Sequence, residues 1–171
     1  FTGAVLLTVL IAAVFFLAGL FGSGFLIRLL GADDAIFQMG KTYLRVILLF
    51  APLFMTNNLL LCFIRNDGAP QLSMAAMITG SLSNVVLDYV FMFPLKMGIF
   101  GAAFATGLAP VISILVLSPF LIQKKNQFHL QKCRINLRLA LGIFSSGLPS
   151  LITEVSSGIV MIVFNSILLR I

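Results

Sequence analysis

The sequence predicts an all-α integral membrane protein, a polytopic helix bundle, and two observations carry that prediction. Hydrophobic residues make up 60% of the 171 and charged residues 9%, against roughly a quarter charged in soluble domains. The few charges are gathered between long apolar runs, each near the roughly 20 residues that a helix needs to cross a hydrocarbon core of about 30 Å.

Five such runs follow one another, leaving no room for a separate soluble domain. The first, Phe1 to Ile27, has no basic lead and no small-residue cleavage site, and it is too long for a secretory signal peptide. It starts on Phe and the last run ends on the chain's final turn, so a longer chain with further helices is expected. In "GADDAIFQMGKTYL", Asp33 or Asp34 is expected to cap a short amphipathic helix at the interface, with Ile36, Phe37 and Met39 to Leu44 on its apolar side.

The second run, Val46 to Ile64, holds Pro52, which frees a carbonyl and kinks a helix. Asn57 and Asn58 follow, and one of the two is expected to face the bundle interior, either to meet a ligand or to bridge helices. In "RNDGAPQ", Gly68 ends this span and Pro70 opens the third, Gly68 to Leu87, as a tight hairpin. A turn around Pro94 to Gly98 leads to the fourth run, Met97 to Gln123. Its opening pairs Gly101 with Ala105, Ala102 with Thr106 and Ala103 with Gly107, a small-residue spacing that predicts close helix contact. The loop "KKNQFHLQKCRINLR" then joins it to the fifth run, which extends from Leu139 to Thr153 and past Glu154 to Leu169.

Formal charge is +6, but in a membrane protein a basic excess marks loops on the cytoplasmic side before it marks nucleic acid. Five of the eleven Lys and Arg residues, Lys124, Lys125, Lys132, Arg134 and Arg138, share that one loop, while the opposite side carries Asp33 and Asp34. Residues 124–138 therefore read as a basic cytoplasmic linker between bundles, and His129 as a loop histidine. Cys62 and Cys133 show no disulfide or metal spacing. The lone His and the lack of a Ser/His/Asp, Cys/His or HExxH set speak against an enzyme, and no cofactor is expected.

Two ionisable side chains fall inside apolar runs, where each costs about 2.5 to 3.5 kcal/mol at mid-bilayer and so points to function. Asp88 lies in "TGSLSNVVLDYVFMF" one helical turn after Asn84, with Gly80 and Ser81 continuing the stripe; Val85, Val86, Leu87, Val90 and Phe91 are assigned to the faces turned to lipid or neighbours. Asn84 and Asp88 either share a hard cation, hold a proton, or fasten two spans together. Thr106, at similar depth across the hairpin, can offer its hydroxyl to that face. Glu154 has Ser150, Ser157, Gly158, Met161 and Asn165 on its helical face and Pro149 before it, a polar seam that reads as a proton relay, a cation site or interhelical glue.

The stretch from Arg65 to Ser113 resembles the multidrug and toxic compound extrusion (MATE) family. The likeness is carried by the Arg-x-x-Gly loop, Asn84-x-x-x-Asp88, the short turn and the Gly101 to Thr106 run. It is strongest from Leu44 to Ile122 and looser over 1–30 and 139–171. The resemblance implies a twelve-helix transporter of two six-helix bundles that opens alternately to each side of the cell membrane. Residues 1–123 would supply four helices of the N-terminal bundle, 124–138 the linker and 139–171 the first helix of the C-terminal bundle, spans three to seven in all. It further implies a Na⁺ or H⁺ coupling site to which Asn58, Asn84, Asp88 and Thr106 contribute, with a possible Na⁺ at Asn84, Asp88 and Thr106. Glu154 resembles the second-bundle acid of some branches. The family's first-span acid is absent from this chain, whose partners would be a small amphiphilic, often cationic drug, the lipid bilayer and the remaining helices. A flippase for a lipid-linked precursor and a non-transporting scaffold are the alternatives.

Overall fold

The computed structural model describes residues 1–29, 34–123, 127–128 and 137–168. Asp33, His129, Arg170 and the loop cations Lys124, Lys125, Lys132 and Arg134 lie outside the described residues, as do the side chains of Asp34, Arg138 and Asn165. The chain divides into two compact units, Phe1–Lys132 and Cys133–Ile171. Among the described residues five helical stretches are long and apolar enough to cross a membrane: Thr2–Leu29, Ile36–Asn66, Pro70–Met92, Gly98–Ile122 and Leu141–Met161. These are the five runs of the sequence.

In the first unit, α1 (Thr2–Leu17) passes through a π-helical turn, Ala18–Gly22, into α2 (Ser23–Leu29), and α3 spans Asp34–Asn66. The π turn lies against the proline-disturbed part of α3. Pro52 has no N–H for the Leu48 carbonyl, and Gly19 sits so close to that residue that a Cβ on it would lie 2.7 Å from Leu48 Cβ. A side chain at position 19 would push the two helices apart.

The expected interfacial helix over Ile36 to Leu44 is not a separate element. Those residues are the first turns of α3, a continuous helix of 33 residues and about 50 Å. The reason is a neighbour that the sequence did not reveal. α2 packs along these turns, with Ile27 against Gly40 and with the cations of Arg28 and Lys41 5.1 and 6.0 Å from the centre of the Phe37 ring.

The corner between α3 and α4 (Pro70–Met92) forms as its residues predict. Gly68 takes φ +89°, the left-handed conformation that glycine adopts without penalty, and the Ala69 N–H donates to the Ile64 carbonyl at 3.2 Å, the long bond of a Schellman cap. Ala69 also packs against the core cluster that includes fully buried Ile64, and Pro70 enters α4 at its first turn, where its missing N–H costs nothing. Next to the corner, the buried Ser73 hydroxyl donates to the Leu61 carbonyl at 3.0 Å, tying α4 to α3.

α5 (Gly98–Ile122) lies between α3 and α4 and makes the unit's most extensive helix contacts with both. Its small residues face two neighbours: Gly101 meets Phe91 of α4, whereas Gly107, about 240° further round the helix, meets Phe50 of α3. The predicted small-residue pairs therefore serve two seams. α1 packs on α3 and not on α4 or α5. Leu61, Ile64, Ala76 and Leu117 form the apolar core where α3, α4 and α5 meet near the α3–α4 corner.

The second unit is described by α6 (Leu137–Leu168), with Pro149 inside it. The hydroxyls of Ser146, Thr153 and Ser157 each donate to the carbonyl four residues earlier, at 3.0 Å, so these polar groups are satisfied within the helix.

A Cβ added to Gly107 would lie 2.5 Å from Phe50 Cγ. Gly107→Ala is expected to cost about 1 to 3 kcal/mol and Phe50→Leu in the same protein to restore part of it, both read as thermal unfolding of the intact protein in detergent.

Candidate functional site

A cavity of about 430 Å³ opens between α3, α4 and α5, and each helix contributes residues at helical spacing. α3 supplies Phe54, Asn57, Asn58 and Leu61; α4 supplies Met77, Gly80, Ser81, Asn84 and Val85; α5 supplies Thr106, Ala109, Pro110 and Ser113. Among the described residues no charged side chain lines it, and polar groups come from all three helices.

Asn84 and Thr106 meet across the hairpin as their depth predicts. The Asn84 Nδ2 donates to Thr106 Oγ1 at 3.5 Å, the long limit for such a bond, and Thr106 Oγ1 donates at 2.9 Å to the Ala102 carbonyl one turn back. With its NH₂ engaged, the Asn84 oxygen stays available as an acceptor. Pro110, buried on the same face, has no N–H for the Thr106 carbonyl, so the helix offers that oxygen one donor fewer.

Among the described residues, three buried side-chain oxygens have no hydrogen-bond partner: Asn57 Oδ1, Asp88 Oδ1 and Ser113 Oγ. Asn57 and Ser113 line the cavity, and Ser113 is only 2% exposed. Such groups are costly unless water, an ion or a ligand reaches them, which makes this cavity polar in demand as well as in composition.

Of the residues singled out in the sequence, Asn58, Asn84 and Thr106 come together on the cavity wall. Asp88 does not line it. It lies one turn beyond Asn84 on α4, half-buried, with one carboxylate oxygen in the interior and unpartnered. Glu154 lies on α6 in the second unit and is exposed. Val85, assigned in the sequence to the lipid and packing faces, is 66% exposed and also borders the cavity, because it follows Asn84 by only about 100° and the cavity covers a broad arc of α4.

The sequence reading passed over Ser113. The signal was present: Thr106, Pro110 and Ser113 recur at four and three residues along α5 and so share a face. A second hollow of about 330 Å³, between α4 and Ile112, carries only two hydroxyls, Thr79 and Ser83, and Thr79 spends its proton on the Ala75 carbonyl at 2.8 Å. The polar side of α4 is the one toward Asn84.

Five membrane-length helices, with a polar cavity walled by three of them, define a multi-pass membrane protein. The MatE family model matches residues 1–90, more than half of the chain, and the chain belongs to that family. The match starts at the first residue, where the sequence likeness had looked looser, and stops short of the Gly101 to Thr106 run. The family is one of transporters and not of enzymes.

The multidrug export protein MepA of Staphylococcus saprophyticus is 26% identical over 158 residues, covering 91% of this chain and 35% of that protein. MepA of Staphylococcus aureus is 26% identical over 139 residues, covering 80% and 31%. The chain thus spans about a third of the length of the curated relatives it matches.

Among solved structures, a MATE crystal structure in complex with MaD3S superposes with a TM-score of 0.80 at 28% identity, covering 94% of this chain and 37% of that one. An inward-facing multidrug resistance MATE family transporter of the MOP superfamily gives 0.76 at 29% identity, covering 85% and 34%. A MOP superfamily transporter from Pyrococcus furiosus, described as having a binding pocket of reversed polarity that suggests a different function, gives 0.78 at 28%, covering 94% and 37%.

Because the Asn84 to Thr106 bond is long, Asn84→Ala is expected to lower stability by no more than about 1 kcal/mol. Thermal unfolding of the intact protein measures this, and a larger loss would mean that the pair is a structural fastener.

Proposed function

We propose that this chain works within a cation-coupled antiporter of the cell membrane that exports amphiphilic, often cationic compounds by alternating access, with Na⁺ or H⁺ as the coupling ion. The observation that carries the reading is a polar cavity, free of fixed charge, beside a carboxylate whose Oδ1 is buried and unpartnered. At about 430 Å³ the cavity is within the range that holds drug-sized molecules.

Asp88 is the coupling group. An ionised carboxylate in this surrounding is costly, and a proton on Oδ1, or a Na⁺ shared with the Asn84 oxygen and the Thr106 hydroxyl, removes that cost. A loaded and an empty site then differ in free energy between conformations, and only such a difference lets an ion shift a conformational equilibrium. Asn58 and Asn57 present amide groups to the exported compound from α3. Glu154 on α6 supplies a second carboxylate in the second unit, and the loop 124–138 faces the cytoplasm.

The cavity lining, which among the described residues is of neutral polar and apolar side chains, favours an uncharged or cationic cargo over the anionic head group that a flippase for a lipid-linked precursor would carry.

Asp88→Asn keeps the shape and removes the titratable charge. The intact protein carrying it is expected to be made at normal levels and to lose drug efflux by at least about tenfold, since the ion-dependent difference between states is gone. Drug resistance equal to wild type in cells expressing the variant would refute the assignment. Uptake of radioactive sodium and quenching of a pH-sensitive dye in vesicles, each driven by an outward drug gradient, distinguish the two ions.

A further inference from the structure

The structure assigns a clasp to the α3–α4 corner: Asp67 and Phe63 hold residues 127–128, so the connection from α5 to α6 is fastened to the first unit as far as Phe128. Two kinds of contact make it. The backbone N–H of Gln127 donates to Asp67 Oδ2 at 2.9 Å, across 60 residues of chain. The Phe128 ring lies 5.6 Å from the Phe63 ring and 4.7 Å from the Phe1 ring, and it packs against the core of Leu61, Ile64, Ala76 and Leu117.

The corner is built to present that carboxylate. The Asp67 N–H donates to the Phe63 carbonyl at 2.9 Å, closing the last turn of α3, and Gly68 at φ +89° turns the chain away immediately afterwards. Asp67 is thereby held on a short, capped turn while its side chain reaches the connection. Phe63 sits one turn earlier on the same helix and meets the ring that follows Gln127. A charge-assisted bond and an aromatic contact at adjacent residues fix both the direction and the depth of the segment.

The consequence concerns tether length. From Gln123, the cap that follows α5, to the first residue of α6 at Leu137 is 14 residues, but from Phe128 it is 9. At most about 3.3 to 3.6 Å per residue, the contour length of that free stretch falls from about 50 Å to about 32 Å. The clasp thus shortens the free connection before α6, whatever is transported.

Hydrogen–deuterium exchange of the intact protein in nanodiscs tests this without reference to transport. In wild type the amide of Gln127 is expected to be protected. Asp67→Ala and Phe128→Ala should each speed its exchange about tenfold or more, while peptides from α4 and α5 stay unchanged and report that the bundle is folded. Asp67→Asn keeps an acceptor oxygen and should keep most of the protection, which a purely electrostatic effect of the carboxylate would not. Trypsin cleavage at Lys124 and Lys125 should accelerate in the two alanine variants alone. Free exchange at Gln127 in wild type, or exchange and cleavage unaltered by Asp67→Ala and Phe128→Ala together, would overturn the clasp.

Discussion

The architecture depends on the absence of side chains along α5. In lipid there is no hydrophobic force to draw one apolar helix to another, so association rests on close approach and on polar groups that find each other. Gly101 lets the α5 backbone come up to Phe91, and Gly107 lets it come up to Phe50. The rest of the α4–α5 seam is made of the same material, with Gly80 against the Ala109 carbonyl and Ser113. Other large apolar side chains, among them Phe25, Val14 and Leu82, are mostly exposed and suited to lipid. Because α5 is set between its neighbours in this way, the Asn84 to Thr106 bond and the cavity beside it follow.

The polar chemistry is concentrated where that packing opens. Several hydroxyls elsewhere, those of Ser73, Thr79, Ser146, Thr153 and Ser157, are paired with carbonyls of their own helix or of a neighbour. Asn57, Ser113 and Asp88 each keep a buried oxygen without a partner, two of them on the cavity and one a turn away. Among the described residues, the buried side-chain oxygens left without a partner therefore lie in one region. That contrast, more than the presence of a carboxylate in an apolar run, is why the proposed function is placed there.

Much of this was legible in the residues. The five spans came from run length alone, since crossing a bilayer is set by how many apolar residues follow one another. The α3–α4 corner came from Gly68 and Pro70, whose backbone chemistry is local. Asn84 and Thr106 were paired because a short hairpin brings equal depths together. What the sequence left unread needed a neighbour's position: Ile36 to Leu44 joined α3 because α2 lies along it, and exposed Val85 also borders the cavity because α3 and α5 leave a broad arc of α4 open.

The sequence by itself determined the class of molecule, the number of its membrane-length helices, the form of the corner at Gly68 and the residues able to carry charge inside the hydrocarbon. These depend on composition and on backbone preferences that act over a few residues. Tertiary structure alone decided which side of α5 meets α3 and which meets α4, because its small residues recur at 101, 103, 105 and 107 and give access on both sides. It also decided which buried oxygens are left without partners and that residues 127–128 return to the corner at Asp67, since a hydrogen bond across 60 residues has no local signature.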